Sequence, residues 1–500
     1  MGAEQSVPID ENAPPQEAAA SGTTREVAWT AAAGDGEAPS PRVGAGGPVG
    51  NSLVLVGGHG QAEELADVWS LTSGAWCRLE PEGRAPRPRG GHTVVSAEGV
   101  GLIVFGGLSH DRGYLSDVHH LAGSEACSLA WTPVCTTGEL PVGRDKHSAV
   151  AAAGGTSMLV FGGFGVKPPE EEDDDDDDDE EEGEGEGGGE EGEGEESSKK
   201  PGPSVDMGWF DDVYMLDVAT WRWRKMPKAA APAAHPPAAA GGGVWGKLAA
   251  KAAAAAPTAP SARAAHACCV LGSGEDECML LFGGRAATGR LNDLWTLAGY
   301  AGGGPGSSGA SGAALSAAWK QPAVGGAPPV ARSFHACVRV GAGTFAAIVG
   351  GIDVHNRHLD EVHLLHTPAS GGWAWHKVRQ ASIGRPPPRA SPLVACIADA
   401  SGGGAATTSL ITFGGSSGWS EHGDTRFHSD TSVLALGDVL AAIADGGADA
   451  DAAVAAPTCG GAVGAPDETE HPEVEPASKR AKTTVDAPPL VFDFAAVGAK

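Results

Sequence analysis

The feature that most constrains this 500-residue chain is an apolar run ending in two glycines, which occurs six times. The runs are LVLVGG, LIVFGG, MLVFGG, MLLFGG, FAAIVGG and LITFGG, ending at Gly58, Gly107, Gly163, Gly284, Gly351 and Gly415. Such self-similarity indicates a repeat architecture, in which each unit covers the hydrophobic face of its neighbour.

Three further elements recur around each glycine pair. An acidic residue followed by apolar residues comes after the glycines, in DVWSL from Asp67, DVHHL from Asp117, DDVYML from Asp211, DLWTL from Asp293, DEVHLL from Asp360 and DTSVLAL from Asp430. A tryptophan then follows in five units, at Trp76, Trp131, Trp221 with Trp223, Trp319, and Trp373 with Trp375. An Arg-x-x-His element precedes the glycines at Arg89, Arg144, Arg263 and Arg332, whereas Arg42 and Arg389 lack the histidine.

Each unit therefore predicts four short strands, and a four-stranded sheet repeated around an axis is a β-propeller blade. The Gly-Gly, Asp and Trp pattern resembles the kelch repeat over roughly residues 25–440. The resemblance implies an all-β, six-bladed kelch-type β-propeller. Because the sixth unit has no tryptophan, we expect the N-terminal stretch REVAWT, residues 25–30, to supply its last strand and close the ring. Residues 1–24 and 441–500 are predicted to be disordered.

Two long insertions are placed by counting strands. The acidic low-complexity insertion 168–205 falls between the second and third strands of blade 3, and the Ala/Pro-rich insertion 226–260 joins blades 3 and 4. Both are predicted to leave from the same face. Residues 170–196 alone carry 20 acidic side chains, which leaves the rest of the chain with 44 acidic and 34 basic residues. This charge disfavours nucleic-acid binding and favours partners with basic surfaces.

The remaining composition predicts a monomeric protein of a reducing compartment, the cytoplasm, the nucleus or both. Nine cysteines show no CxxC pair, and no apolar stretch reaches the roughly 18 residues of a membrane span. Lys479, Arg480 and Lys482 form a candidate nuclear import signal, and Gly2 fits a myristoylation pattern.

The function predicted is that of a non-enzymatic interaction scaffold or adaptor that binds other proteins through the loop face of the propeller. No cofactor is expected. Arginines and exposed aromatic residues on loops are typical anchors of protein contacts. The candidate partner-binding residues are Arg112, Arg290, Arg357, Trp419, Arg426 and Trp209. The Arg-x-x-His elements are interpreted as packing and hydrogen-bonding residues of the repeat.

Two alternatives remain open. One is a substrate receptor of a ubiquitin ligase, a role that several kelch proteins fill. The other is a metal-dependent specifier or lyase, because the blade 6 loop is similar to the iron-binding loop of kelch-type nitrile-specifier proteins. That resemblance implies Glu421, Asp424 and His428 as ligands of iron or zinc. The nitrile-specifier loop has three residues between successive ligands. Asp424 and His428 keep that interval, whereas Glu421 lies only three positions before Asp424.

Overall fold

The computed structural model describes residues 26–32, 36–97, 99–168, 206–227, 257–300, 317–341, 343–399, 407–418 and 425–445. Within these residues, six sheets form six blades, with short two-stranded ladders beside them. Four sheets are four-stranded and antiparallel, whereas those of blades 3 and 5 have a fifth, outermost strand that pairs in parallel. Residues 1–24 and 446–500, which are predicted to be disordered, and most of both insertions lie outside the described residues.

The strands of the first three blades follow the chain after an N-terminal strand, β1 (Trp29–Ala31). Blade 1 contains β2 (Arg42–Val49), β3 (Ser52–Gly60), β4 (Glu64–Thr72) and β5 (Ala75–Leu79). Blade 2 contains β6 (Thr93–Ala97), β7 (Gly101–Phe105), β8 (Leu108–Ser109), β9 (Gly113–Tyr114), β10 (Val118–Ala122) and β11 (Ala130–Thr132). Blade 3 contains β12 (Thr137–Gly138), β13 (Ser148–Ala152), β14 (Ser157–Phe161), β15 (Phe164–Val166), β16 (Met207–Trp209), β17 (Val213–Asp217) and β18 (Arg222–Lys225).

The other three blades continue in the same way. Blade 4 contains β19 (Ala267–Leu271), β20 (Cys278–Ala286), β21 (Gly289–Ala298) and β22 (Ala318–Lys320). Blade 5 contains β23 (Val324–Gly325), β24 (Arg332–Ser333), β25 (Ala336–Val340), β26 (Phe345–Val349), β27 (Ile352–Asp353), β28 (Val362–His366) and β29 (Trp373–Lys377). Blade 6 contains β30 (Leu393–Asp399), β31 (Thr407–Phe413), β32 (Ser416–Ser417), β33 (Arg426–Phe427) and β34 (Thr431–Ala435), and a helix, α1 (Gly437–Ala444), follows it.

The ring closes through the N-terminal strand, as predicted. β1 pairs with β34, with Trp29 opposite Leu434, and this makes β1 the outermost strand of blade 6. Trp29 is buried among residues of blades 5 and 6. The innermost strands β2 and β30 also contact each other across the closure. Helix α1 was not anticipated; it crosses the predicted boundary at 440, and its Leu440 is buried in the same cluster.

Six hydrophobic clusters hold the blades together, one at each interface between neighbours. In four interfaces the phenylalanine just before the glycine pair contacts the tryptophan of the next blade. These ring pairs, with centroids 4.8–5.4 Å apart, are Phe105–Trp223, Phe161–Trp319, Phe282–Trp375 and Phe413–Trp76. The tryptophan is therefore an apolar wedge between adjacent sheets.

A buried arginine begins each unit and pairs with a carboxylate of its own blade. The six side chains are no more than 4% exposed. The ion pairs are Arg42–Asp67, Arg89–Asp117, Arg144–Asp212, Arg263–Asp293, Arg332–Glu361 and Arg389–Asp430. Each guanidinium also donates to the carbonyl oxygen of the first glycine of the pair. Arg42 and Arg389 thus make the same ion pair and the same bond to glycine as the other four arginines, although their units lack the histidine.

In two blades the acidic partner is the second of two adjacent acidic residues. In blade 3 the partner of Arg144 is Asp212 and not Asp211, and in blade 5 the partner of Arg332 is Glu361 and not Asp360. Asp360 instead accepts a hydrogen bond from Arg385 at 2.7 Å. The register of the strand decides which acidic residue pairs with the arginine. The paired residue is the one directly before the first buried strand residue, Val213 in blade 3 and Val362 in blade 5.

The arginine backbone also joins each blade to the preceding one. At the closure, the Arg42 N–H donates to the His428 oxygen at 3.0 Å, and the Gly415 N–H donates to the Arg42 oxygen at 2.9 Å. Glycine is required at this approach: Gly415 has φ +90°, and a Cβ there would lie 2.7 Å from the Ala390 oxygen.

The four repeat histidines are buried, and three of them bond across the blade interface. His92 Nε2 lies 3.0 Å from the Val56 oxygen and His335 Nε2 lies 3.1 Å from the Phe282 oxygen, both in the preceding blade. His147 Nε2 lies 2.8 Å from Thr93 Oγ1. Burial, followed by the nearby arginine charge, lowers the pKa of His92, His147 and His335 to about 3, and lowers that of His266 well below its usual value. The packing role predicted for these elements is confirmed, with the histidine bonds running between blades.

Replacement of Arg42 by alanine is expected to open the closure between blades 6 and 1. The change leaves the Asp67 carboxylate without its buried partner, which costs about 3–5 kcal/mol of unfolding free energy. Denaturant unfolding of Arg42→Ala measures this loss. The matched control is Arg78→Ala, because the Arg78–Glu80 pair is 52% and 80% exposed and an exposed pair contributes less than about 1 kcal/mol. Equal losses in the two variants would contradict the closure role.

The buried histidines predict a loss of stability as the pH falls from neutral. Their pKa is depressed in the folded state, so below about pH 6.5 the unfolded chain binds protons that the folded chain does not, and each site contributes about 1.4 kcal/mol per pH unit. The carboxylates Asp117 and Glu361, whose pKa is also lowered, add to the loss only below their ordinary range near pH 4.5. Unfolding free energy is measured between pH 7 and 5. His147→Asn is expected to flatten the slope, whereas replacement of the exposed His110 is not; an unchanged slope in His147→Asn would contradict the assignment.

Candidate functional site

The residue two positions after each repeat arginine adopts a left-handed backbone in five blades. These residues are Gly91, Lys146, Ala265, Phe334 and Ser391, with φ between +48° and +64°. Their peptide groups form a chain of hydrogen bonds from blade to blade: Lys146 to Gly91, Ala265 to Lys146, Phe334 to Ala265 and Ser391 to Phe334, at 2.6–2.9 Å. We call these five residues the inner ring. Left-handed backbone is costly for residues other than glycine, so the packing and bonds around the inner ring must hold it in place.

The inner ring lines a cavity of about 650 Å³ at the centre of the propeller. All six blades contribute to its wall, through the starts of their innermost strands and through the connections that follow the glycine pairs. We call these connections the b–c loops. The cavity therefore opens on the face that carries the b–c loops, which is also the face of the acidic insertion.

Charged side chains are unevenly distributed around the cavity wall. Blade 4 contributes Arg285 and Arg290, which lie directly opposite each other on β20 and β21. Arg290 Nε donates to Ser333 Oγ at 2.9 Å. Burial, together with the Arg285 charge, lowers the pKa of Arg290. Two cations at adjacent cross-strand positions repel each other, so an acceptor-rich or anionic group placed between them would relieve that repulsion.

The neighbouring part of the wall, in blade 3, contains a buried ion pair. Lys146 Nζ lies 2.6 Å from Asp145 Oδ2, and Asp145 is 2% exposed. Burial raises the pKa of Asp145, whereas Lys146 acts in the other direction. Lys146 therefore presents a cation whose charge is partly balanced within the wall. Phe334 and Ser391 add an aromatic ring and a hydroxyl group at equivalent positions of blades 5 and 6.

Of the predicted partner-binding residues that the structure describes, only Arg290 lies in the cavity wall. Arg112, Arg357 and Arg426 are exposed on the b–c loops of blades 2, 5 and 6, where Arg357 Nε donates to Asp353 Oδ2 at 2.8 Å. Trp209 lies on β16, and Trp419 falls outside the described residues. Lys479, Arg480, Lys482 and Gly2 also fall outside them.

Sequence reasoning missed Lys146, Arg285, Phe334 and Ser391. One signal could have identified three of them, since Lys146, Phe334 and Ser391 each stand two residues after a repeat arginine.

Of the three predicted metal ligands, His428 alone lies within the described residues. Glu421 and Asp424 lie outside the described residues, and His428 is buried with its Nε2 2.8 Å from Ser417 Oγ. Asp353, another acidic residue of this face, accepts hydrogen bonds from the backbone of His355 and Arg357. Within the described residues, no cluster of three or more His, Cys, Asp or Glu side chains is arranged to hold a metal ion.

Comparison with known proteins agrees with this architecture. The family model of the KLHDC2/KLHL20/DRC7 Kelch-repeats domain matches residues 48–175 and 245–437. The chain is 33% identical over 159 residues to Host cell factor homolog hcf-1 of Caenorhabditis elegans, a match that covers 28% of this chain and 20% of the relative. It is 25% identical over 228 residues to human Kelch domain-containing protein 2, covering 45% of this chain and 43% of the relative.

A third relative is Acyl-CoA-binding domain-containing protein 5 of Arabidopsis thaliana, 32% identical over 119 residues, with 23% of this chain and 18% of the relative covered. The matched part is thus less than half of each of these relatives. Among the described helices, none is long and apolar enough to span a membrane. The repeated arginine–carboxylate pairs, the six closed blades and the family match lead to one conclusion: the chain belongs to the KLHDC2/KLHL20/DRC7 Kelch-repeats domain family.

Proposed function

We propose that this propeller is a non-enzymatic interaction scaffold that holds one extended segment of a partner protein in its central cavity. The observation that carries the proposal is the cavity of about 650 Å³ whose wall draws on all six blades and contains Arg285, Arg290 and Lys146. A volume of this size accommodates a few residues of a peptide. Around the same face, exposed apolar side chains include Leu140, Val330 and Val354, each more than half exposed.

The chemistry of the wall supports binding in preference to catalysis. The four repeat histidines have a pKa too low for proton exchange at neutral pH, because burial keeps them neutral. Arg285 and Arg290 offer fixed hydrogen-bond donors to carbonyl or carboxylate oxygens of a partner. No cofactor is part of this proposal. Iron or zinc is a cofactor only under the specifier alternative. That alternative requires His428 as a ligand, and the Nε2 of His428 already has the Ser417 hydroxyl group as its hydrogen-bond partner.

We further propose that the protein acts as a monomer in the cytoplasm, the nucleus or both, and that its partner has a basic surface. β1 already completes the sheet of blade 6 within the same chain, which supports a monomer. The 20 acidic side chains of residues 170–196 support a basic partner and disfavour nucleic acid. A role as substrate receptor of a ubiquitin ligase would use the same cavity. Identification of the captured proteins distinguishes this receptor role from the role of an adaptor.

Arg290→Ala is expected to weaken capture of the partner about tenfold or more. Loss of a hydrogen bond from a charged donor costs about 1.5–3 kcal/mol, and Arg290 offers its guanidinium inside the cavity. The measurement is affinity capture from an extract of the cells that express the protein, with quantitative mass spectrometry. Arg78→Ala, on the exposed outer strand β5, is the matched control. A partner set retained equally by both variants would exclude the cavity as the binding site.

Removal of residues 170–196 is expected to lower capture of basic partners at low salt and to have little effect at high salt. Interactions between exposed charges are screened when the Debye length falls to about 3 Å at 1 M salt. The same capture experiment at two salt concentrations provides the measurement. Thermal unfolding serves as the control, because the deleted residues lie beyond the last rung of the β15–β16 ladder. Identical partners with and without the insertion at low salt would contradict its role.

A further inference from the structure

The b–c loop of blade 3 differs from those of the other blades in its side chains. β15 and β16 pair in three rungs, Phe164 with Trp209, Gly165 with Gly208, and Val166 with Met207. Residues directly opposite each other, and residues two apart on one strand, share a face of the ribbon. Phe164, Val166, Met207 and Trp209 therefore form one continuous apolar face, which we call the hairpin face.

The other side of this hairpin is covered by the chain itself. A Cβ on Gly165 would lie 3.2 Å from the Phe210 ring, and one on Gly208 would lie 2.5 Å from the Lys167 side chain. The hairpin face has less cover. Val166 is 42% exposed and Met207 is 46% exposed, and both are among the exposed large apolar side chains of the described residues.

Aromatic rings extend the hairpin face toward blade 2. The Phe164 ring lies 5.8 Å from Trp209 and 6.1 Å from Tyr114, both with edge-to-face geometry. All three rings are half-buried. A row of partly exposed aromatic residues beside an exposed methionine has the composition of a protein-binding surface.

Equivalent loops provide an internal comparison. The rungs directly after the glycine pair carry Arg285 opposite Arg290 in blade 4 and His59 opposite Glu64 in blade 1, whereas they carry Ser416 opposite Phe427 in blade 6 and Leu108 opposite Tyr114 in blade 2. The repeat therefore does not require apolar residues here. In blade 3 the outer apolar rung, Val166 opposite Met207, is largely exposed and is not explained by packing within the propeller.

The charge next to the hairpin face indicates what kind of partner fits it. The last backbone bond of the hairpin runs from the Lys167 N–H to the Asp206 oxygen at 2.8 Å, and the chain between them contains the 20 acidic side chains of residues 170–196. An apolar surface flanked by this many carboxylates favours a segment that has apolar residues on one side and basic residues around them.

We infer that the hairpin face, Phe164, Val166, Met207 and Trp209, is a second docking surface of the propeller and binds a basic amphipathic segment of a partner protein. The inference rests on the proposed scaffold function but uses residues outside the cavity wall. The apolar side of the segment packs on the hairpin face, and the carboxylates that the sequence places between Lys167 and Asp206 attract its basic residues. This packing does not involve Arg285 or Arg290.

The probe for this surface is a fluorescently labelled synthetic peptide that forms a helix with leucines along one side and lysines along the other. Binding to the full chain is measured by fluorescence anisotropy. Val166→Ser with Met207→Ser is expected to weaken binding about tenfold, because two side chains lose apolar contact. The same peptide with glutamates in place of lysines is expected not to bind. Ile383→Ser, which changes an 87% exposed apolar residue far along the chain, is the matched control and is expected to bind like the wild type.

Three results would overturn the inference. The first is no binding of the lysine peptide to the wild-type chain. The second is a loss on deletion of residues 170–196 without any loss in the Val166→Ser, Met207→Ser variant, since the insertion would then capture the peptide by charge alone. The third is an equal loss in Arg290→Ala, which would place the peptide in the cavity. Binding that survives Arg290→Ala while that variant loses its cellular partner separates this surface from the proposed cavity function.

Discussion

The fold depends on a buried guanidinium at the start of each blade. Taking an arginine out of water costs several kcal/mol unless its charge is paired and its donors are satisfied. In most blades the carboxylate accepts hydrogen bonds from two guanidinium nitrogens, and the carbonyl oxygen of the first glycine of the pair accepts another. The arginine's own peptide group bonds to the preceding blade. One residue thus fixes its strand within the blade and the blade within the ring. For Asp117, burial acts to raise the pKa, but the bonds from His119 and Arg89 outweigh it and the pKa is lowered.

This arrangement lets a repeated scaffold carry a cavity that is not symmetric. The peptide bonds that join Gly91, Lys146, Ala265, Phe334 and Ser391 depend on backbone atoms only. The side chain at each of these positions is therefore free to differ, and the five residues range from no side chain to a cation and an aromatic ring. The backbone repeats six times, whereas the chemistry presented to a ligand does not. Selectivity of the cavity can change by substitution at the inner ring without a change of fold.

Most of the fold could be predicted from the repeat, because its signals arise from backbone geometry. The glycine pairs locate the ends of the second strands, the tryptophans locate the outer strands, and the missing sixth tryptophan located β1. The choice of Asp212 over Asp211, and of Glu361 over Asp360, could not be read from the sequence, since both neighbours are acidic and only the register against Val213 or Val362 decides. The cavity was missed for a related reason. Lys146, Arg285 and Phe334 are ordinary residues in sequence, and only the closed ring brings them together.

The acidic insertion shows how a long polar segment can be tolerated in such a ring. Closure entropy rises only slowly with loop length, so its cost depends mainly on how firmly its two ends are held. The ends are held by three rungs of β15 and β16 and by the bond from Lys167 to Asp206. β15 is in turn anchored by the reciprocal bonds between Phe164 and Asp145 at 2.9 and 3.0 Å. The hairpin is thus fixed by residues outside the insertion, so the number and order of the carboxylates in residues 170–196 can be set by a partner instead of by the fold.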